Sequence, residues 1–316
     1  LKKFTSLLLA GVAILGLAAC SNNSSSSKDE KKDTGTHKFE AKNGTIDIPN
    51  KLDKIVIQNY SDEAVALGQN VVGTDSWSFA NPHLPKEAKD KIKDMGAPMN
   101  AEKIAEEKPD LIVTMDKDQV ANYEKIAKTV LVDYNDKALK DMDSRLEYFA
   151  KMFQAEDKKK EFLKAFDATA KKETARLTDK GIDPSKSTVA IIELNANKIY
   201  SYGDNFARGG QTLIRGLGFE QSKEMKEITD GDGWKEVNVE SLANLSADYI
   251  FIDYPETDKA QYEALTKNPV WQKIKAVQDK KVVQIDYNQV YYFGGPIATE
   301  KLLPVYVDAI LDQTKK

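Results

Sequence analysis

The chain holds one cysteine, two histidines and four arginines among its 316 residues. A lone cysteine excludes intrachain disulfides, zinc–thiolate centres and iron–sulfur clusters, so stability has to come from an apolar core. With only His37 and His83 available, a multi-histidine metal site is excluded. That also argues against direct binding of bare zinc or manganese, which leans on several imidazoles. Enzyme signatures are missing too: there is no G-x-S-x-G, no H-E-x-x-H, no Walker A loop and no G-x-G-x-x-G behind a strand. Fifty acidic residues make any single carboxylate pair uninformative as a hydrolase signal, and the net charge of −4 argues against a nucleic-acid partner.

The first twenty residues read as an address. Lys2 and Lys3 precede an apolar run from Leu7 to Ala19 that is too short to be a spanning helix. The run ends Leu17-Ala18-Ala19-Cys20, which looks like a lipobox, in which Cys20 would be acylated on sulfur and become the new N-terminus. Residues 1–20 are expected to be a lipoprotein signal peptide and residues 21–37, polar and without periodicity, a flexible tether. The expected location is the outer face of a bacterial cytoplasmic membrane, reached through the lipid on Cys20.

The body, roughly 280 residues, suits two lobes. It alternates short β-rich runs with helical stretches, which predicts α/β layering. Strands are predicted at Lys54–Ile57, Val71–Thr74, Leu111–Met115 and Val130–Asp133, then at Thr188–Ile192, Ile199–Tyr202, Tyr249–Asp253 and Val282–Ile285, with a hairpin turn at Asn195-Ala196-Asn197. Between the halves, apolar residues three and four apart (Met142, Leu146, Phe149, Phe153, then Phe162, Phe166) predict helix from Leu139 to Thr178, broken near Ala155-Glu156. The second piece would be about 33 Å long at 1.5 Å per residue, a stiff bridge ended by Gly181 and Pro184. The expected organisation is an N-terminal α/β lobe over 38–155, a bridging helix over 156–180 and a C-terminal α/β lobe over 181–316.

The two halves also echo one another. Asn100, Glu102, Ala105, Asp110 and Ile112 recur as Asn238, Glu240, Ala243, Asp248 and Ile250 at one constant offset, and VLVDYN at 130–135 recurs as VQIDYN at 283–288. Both echoes fall in the same order on either side of the bridge, which favours two related lobes.

One segment stands apart: YSYGDNFARGG, residues 200–210, where aromatics, turn formers and one arginine crowd a strand-to-helix loop. Gly209 and Gly210 would let backbone approach a ligand closely. Trp77 and Phe79 follow a strand in the first half; Tyr254 ends one in the second; Tyr287, Tyr291, Tyr292 and Phe293 precede Gly294-Gly295-Pro296. Together they suggest a pocket with apolar faces and a few polar groups, the usual recipe for a small-molecule site.

Over essentially its whole length the chain resembles the siderophore-binding lipoproteins of Gram-positive bacteria, most of all the ferric-hydroxamate (ferrichrome and ferrioxamine) binders. The Y-x-Y-G-D-N-[aromatic]-x-R-G-G segment, S-W-S-F-x-N-P at 76–82 and E-K-P-D-L-I-V at 107–113 carry the likeness. The resemblance implies two α/β lobes joined by a rigid helix, an iron(III)-hydroxamate complex as cargo, and an ABC permease with its cytoplasmic ATPase as partners. It implies no enzyme activity and no cofactor, iron travelling inside the siderophore, and a monomer. Phe206 and Arg208 would contact the chelate. Family members often carry tryptophan at the Phe206 position, so the missing indole N–H leaves ligand preference open. Tyr202, Trp77, Phe79, Tyr254, Tyr287, Tyr291 and Tyr292 would pack on the organic shell. Glu102 and Glu240, one on each lobe, would dock on the permease; first-turn helix acids serving the macrodipole would look the same.

Charge narrows the cargo. Anionic catecholates and citrate-type chelates call for several cations, arginine above all. Arg145 and Arg176 fall on the predicted bridging helices and Arg215 on a helix surface, which leaves Arg208. One arginine among tyrosines fits a neutral or weakly charged ferric hydroxamate. Mixed citrate-hydroxamate siderophores, haem, cobalamin and, in another class, a surface enzyme acting on siderophores are the rival readings.

Overall fold

The computed structural model describes residues 35–290 and 295–313. Cys20 and most of the expected tether lie outside the described residues, as do Tyr291 and Tyr292. The described chain is ordered earlier than a tether reaching residue 37 would allow. Strand β1 (Thr36–Ala41) pairs antiparallel with β2 (Gly44–Pro49), and the His37 ring is held by Asn50 Oδ1 at 3.2 Å and the Met152 carbonyl at 3.0 Å. Alternation in this hairpin is weak, Phe39 and Ile48 being its only buried side chains, so the polar lead-in masked it.

Strands β3 (Ile55–Ile57), β4 (Val71–Thr74), β5 (Lys93–Asp94), β6 (Leu111–Thr114) and β7 (Lys128–Leu131) make an all-parallel sheet in the order β5-β4-β3-β6-β7. Val, Ile and Leu fill β3 and β6 on both faces, as a doubly covered parallel sheet requires. The second half adds β8 (Thr188–Asn195), β9 (Lys198–Tyr202), β10 (Glu220–Gln221), β11 (Trp234–Val237), β12 (Tyr249–Asp253) and β13 (Val282–Gln284), in the order β11-β9-β8-β12-β13 with β10 beside the start of β8. Ala196 and Asn197, both at positive φ, turn β8 into β9 as a two-residue hairpin.

The echo in sequence is an echo in structure. β3-β6-β7 and β8-β12-β13 are the same parallel triplet. In the first, the Asp53 and Lys54 N–H groups donate to Asp110 Oδ2 at 2.7 and 2.8 Å. In the second, Thr188 N–H and Oγ1 donate to Asp248 Oδ2 at 2.9 and 3.0 Å. Each aspartate fastens the start of the lobe's central strand to its neighbour.

Between the halves run a helix at Met142–Phe153 and the bridging helix at Glu156–Thr178, broken at Gln154, which adopts left-handed φ. The bridge buries Phe166, Ala170, Glu173 and Leu177 and packs along a C-terminal helix, Pro296–Gln313. One apolar cluster extends from β3 through these helices to β8.

Candidate functional site

In each half the central strand and its parallel neighbour, β3 beside β6 and β8 beside β12, end at one edge of the sheet, the edge at which α/β sheets bind ligands in a crevice. In the first half this is the end of β3, where Gln58, Asn59 and Tyr60 follow Ile57. Gln58 Oε1 accepts from Thr114 Oγ1 and the Met115 N–H at 2.8 and 2.9 Å and ties the β3 and β6 ends together. In the second half it is the end of β8 and β12, where Glu193 and Asp253 sit directly opposite one another in register.

Glu193 is the hub of the second crevice. It pairs with Arg208 Nε, accepts from Tyr202 Oη at 3.3 Å and from Asn195 Nδ2 at 3.3 Å, and Asn195 also donates to Tyr287 Oη at 3.3 Å. The Arg208 guanidinium lies 5.0 Å from the Tyr202 ring centroid, and Phe206 stacks on Tyr202 at 5.7 Å. Four of the predicted residues (Tyr202, Phe206, Arg208 and Tyr287) are therefore brought together. The loop that delivers Arg208 is held in an uncommon backbone shape: Ala207, Arg208 and Gly209 all have positive φ. Gly209 is required there, since a Cβ would collide with the Tyr306 phenol, whose hydroxyl donates to the Arg208 carbonyl at 2.8 Å. The expected helix after Gly210 forms as a short π-helical turn, Thr212–Gly216.

Electrostatics here are set by burial. Burial would lower the Arg208 pKa, but the charge and hydrogen bond of Glu193 hold it above its ordinary value. Burial, reinforced by the Glu193 charge, pushes Asp253 well above the carboxylate range, and Asp253 Oδ1 finds no hydrogen-bond donor among the described residues. Burial also raises the Tyr202 hydroxyl.

Sequence reasoning missed Glu193 and Arg145. A charged residue inside the apolar run TVAIIELN was a readable signal for Glu193. Arg145 does lie on the helix assigned to it, yet it turns into the cleft: its Nε donates to Glu63 Oε1 at 2.8 Å, both side chains buried. Arg145 lines two small cavities beside the 204–210 loop, of about 30 and 40 Å³. The second is walled by Asn59, Tyr60, Glu63 and Tyr134 on one side and Asn205, Phe206 and Ala207 on the other. Tyr134 and Phe206 meet edge to face at 6.4 Å.

The other predicted aromatics sit elsewhere. Trp77, half exposed, and Phe79, packed on the core, lie on a short helix capped by Asp75 and line neither cavity. Tyr254 stacks on Tyr262 at 4.7 Å and, with Tyr287, borders a separate depression. Glu102 and Glu240 are exposed and hold equivalent places: each is the second residue of a helix whose N-cap is an asparagine, Asn100 or Asn238. Arg215 bonds Asp143 and Asp167, and Arg176 bonds Glu173 and Asp308. Among the described residues no group of three or more His, Cys, Asp or Glu is arranged to hold a metal ion.

Residues 58–288 match the family described as periplasmic binding protein. The chain is 31% identical to the iron(3+)-hydroxamate-binding protein YxeB of Bacillus subtilis and 32% identical to the iron(3+)-hydroxamate-binding protein FhuD of the same organism, each alignment covering 98% of both chains. It superposes on the solved FhuD protein from S. pseudintermedius with a TM-score of 0.74 at 26% identity, covering 88% of this chain and 99% of that one. The chain belongs to the periplasmic binding protein family.

Proposed function

We propose that this protein is the receptor of an ABC importer, that it captures an iron(III)-hydroxamate siderophore in the cleft between its sheets, and that it delivers it to a permease driven by a cytoplasmic ATPase. The observation that carries this is near full-length identity, above 30%, to two relatives named for binding that cargo. The site suits it: aromatic faces from Tyr134, Phe206 and Tyr202, a few buried polar groups, and no lysine among the residues lining either cavity. The siderophore supplies the iron ligands and the protein grips its exterior; the reading is of capture, without catalysis.

The cleft as it stands is closed. Cavities of about 30 and 40 Å³ hold a few waters at most, so cargo entry parts the Tyr134–Phe206 contact. Lobes of residues 38–155 and 181–316, joined by the stiff bridging helix, would open it by small movements. The loaded protein would present Glu102 and Glu240, symmetric on the two lobes, to a permease of matching charge. Cys20 would hold it to the membrane; no helix among the described residues is long and apolar enough to cross one.

The test is a tryptophan-fluorescence titration with ferrioxamine B, ferrichrome, a ferric catecholate, a ferric citrate-type chelate and haem. Saturable quenching by the hydroxamates is expected. Arg208→Ala should weaken it roughly 10- to 100-fold, the worth of charge-assisted hydrogen bonds. Quenching only by haem or an anionic chelate would overturn the reading.

A further inference from the structure

Each arginine in the cleft arrives already matched. Arg145 is 9% exposed and pairs with Glu63, 2% exposed; Arg208 is 7% exposed and pairs with Glu193, 1% exposed. These two arginines are the only cations among the described residues lining either cavity, while Glu63 and Asp204 line them as carboxylates. Asp253 is pushed toward its protonated form, so the balance at Arg208 falls to Glu193. Buried charges are screened little by salt. An incoming anion would therefore find no unmatched positive charge, and Asp204 as a further carboxylate.

We propose that Glu63 and Glu193 set the charge class of the cargo: by matching Arg145 and Arg208 they let the cleft accept neutral or cationic ferric chelates and turn anionic ones away. This rests on reading the cleft as a ferric-chelate site. The two glutamates are specificity determinants that act through the arginines they hold. Removing one carboxylate charge about 10 Å from a unit charge, at an effective dielectric constant of about 20, changes affinity on the order of tenfold.

The experiment holds ligand shape constant. A linear trihydroxamate is loaded with iron(III) with its terminal amine left free, acetylated or succinylated, giving cationic, neutral and anionic complexes of one core. Calorimetric titration at pH 8 should show the succinylated form bound on the order of tenfold more weakly than the acetylated form by the wild-type protein. In Glu63→Gln and Glu193→Gln that ratio should close, with both substitutions together reversing it. Loss of packing alone would weaken all three ligands alike and leave the ratio where it was, and that result overturns the proposal.

Should the variants fail to fold, pH does the same work on the wild type. Burial pushes Glu63 up to about 7 against the opposing charge of Arg145, whereas the ligands' ammonium and carboxylate groups keep their charges between about pH 6 and 8. Glu63 is faced by Arg145, by Tyr60 and Asp62 of its own segment and by Tyr134 across the cavity, and Asp204 reaches Arg145 from the loop. Protonating Glu63 at pH 6 should narrow the acetyl-to-succinyl ratio; a ratio constant with pH removes Glu63 from the proposal. Tight but charge-blind binding by the wild type sinks the charge assignment alone. No binding of any of the three sinks the hydroxamate reading itself.

Discussion

Arg208 is fixed before any cargo arrives: its side chain pairs with Glu193 and lies over Tyr202, and its carbonyl accepts from Tyr306. Removing one partner of a buried ion pair strands the other, at a cost of about 3–5 kcal/mol. Arg208→Ala should therefore lower stability by that order in a urea titration, with the buried Glu193 carboxylate left without its cation. A loss below about 1 kcal/mol would mean that water or another group already compensates Glu193. Binding data for this variant need that control. Arg208 could be singled out from the sequence because its neighbours are turn formers and aromatics. Arg145 could not, because periodicity gives the helix without the direction of its partner: Glu63 is 82 residues away, a contact made only by folding.

The C-terminal helix shows what an element can owe to a distant residue. The first N–H groups of a helix have no partner within it. Here Asp62, from the other half of the molecule, accepts from the N–H groups of Gly295, Ile297 and Ala298 at 3.0, 2.7 and 3.1 Å, and from Asn81 Nδ2 at 3.0 Å. Gly295 leaves room for this, since a Cβ there would lie 2.6 Å from Glu63 Oε2. Losing a cap costs about 0.5–2 kcal/mol at an exposed site. With three buried N–H groups orphaned together, Asp62→Ala should exceed about 3 kcal/mol by chemical denaturation, and Asp62→Asn, which keeps an acceptor oxygen, should cost less. Equal costs would show that the charge, rather than the caps, is what matters. Neither this helix nor its cap was legible in the sequence. Aromatics and Gly-Gly-Pro announced a loop, and Pro304 interrupts the helical pattern. Eight of the thirteen strands, by contrast, were legible because Val, Ile and Tyr runs carry their own signal; β1, β2, β5, β10 and β11, short or weakly apolar, were not.

At the scale of the whole molecule, the duplicated β-triplet gives two crevices, and each half contributes a pair of buried acids. Asp62 and Glu63 stand on one side, Glu193 and Asp253 on the other, each nine-tenths or more buried. The pairing of Asp110 with Asp248 was readable from the echo alone; the burial of the acids was not, since it depends on what packs around them in the folded chain. Burial moves Glu63 from its ordinary 4.5 up to about 7 despite Arg145. A carboxyl whose pKa is raised on folding binds its proton more tightly in the native state. It therefore favours folding below about pH 4.5 relative to its effect above pH 7, and stability falls as pH rises between the two. A tenfold change in proton affinity is worth about 1.4 kcal/mol, so the full swing from this one group is roughly 3 kcal/mol. Burial raises Asp62, Asp204 and Asp253 in the same direction, whereas Asp248, held by Thr188, is lowered and acts oppositely. The difference between wild type and Glu63→Gln cancels these shared contributions. Urea titrations from pH 5 to pH 8 should show the wild type losing stability relative to the variant as pH rises, with most of the change complete by pH 8. A difference that does not vary with pH would mean that Glu63 keeps one protonation state throughout.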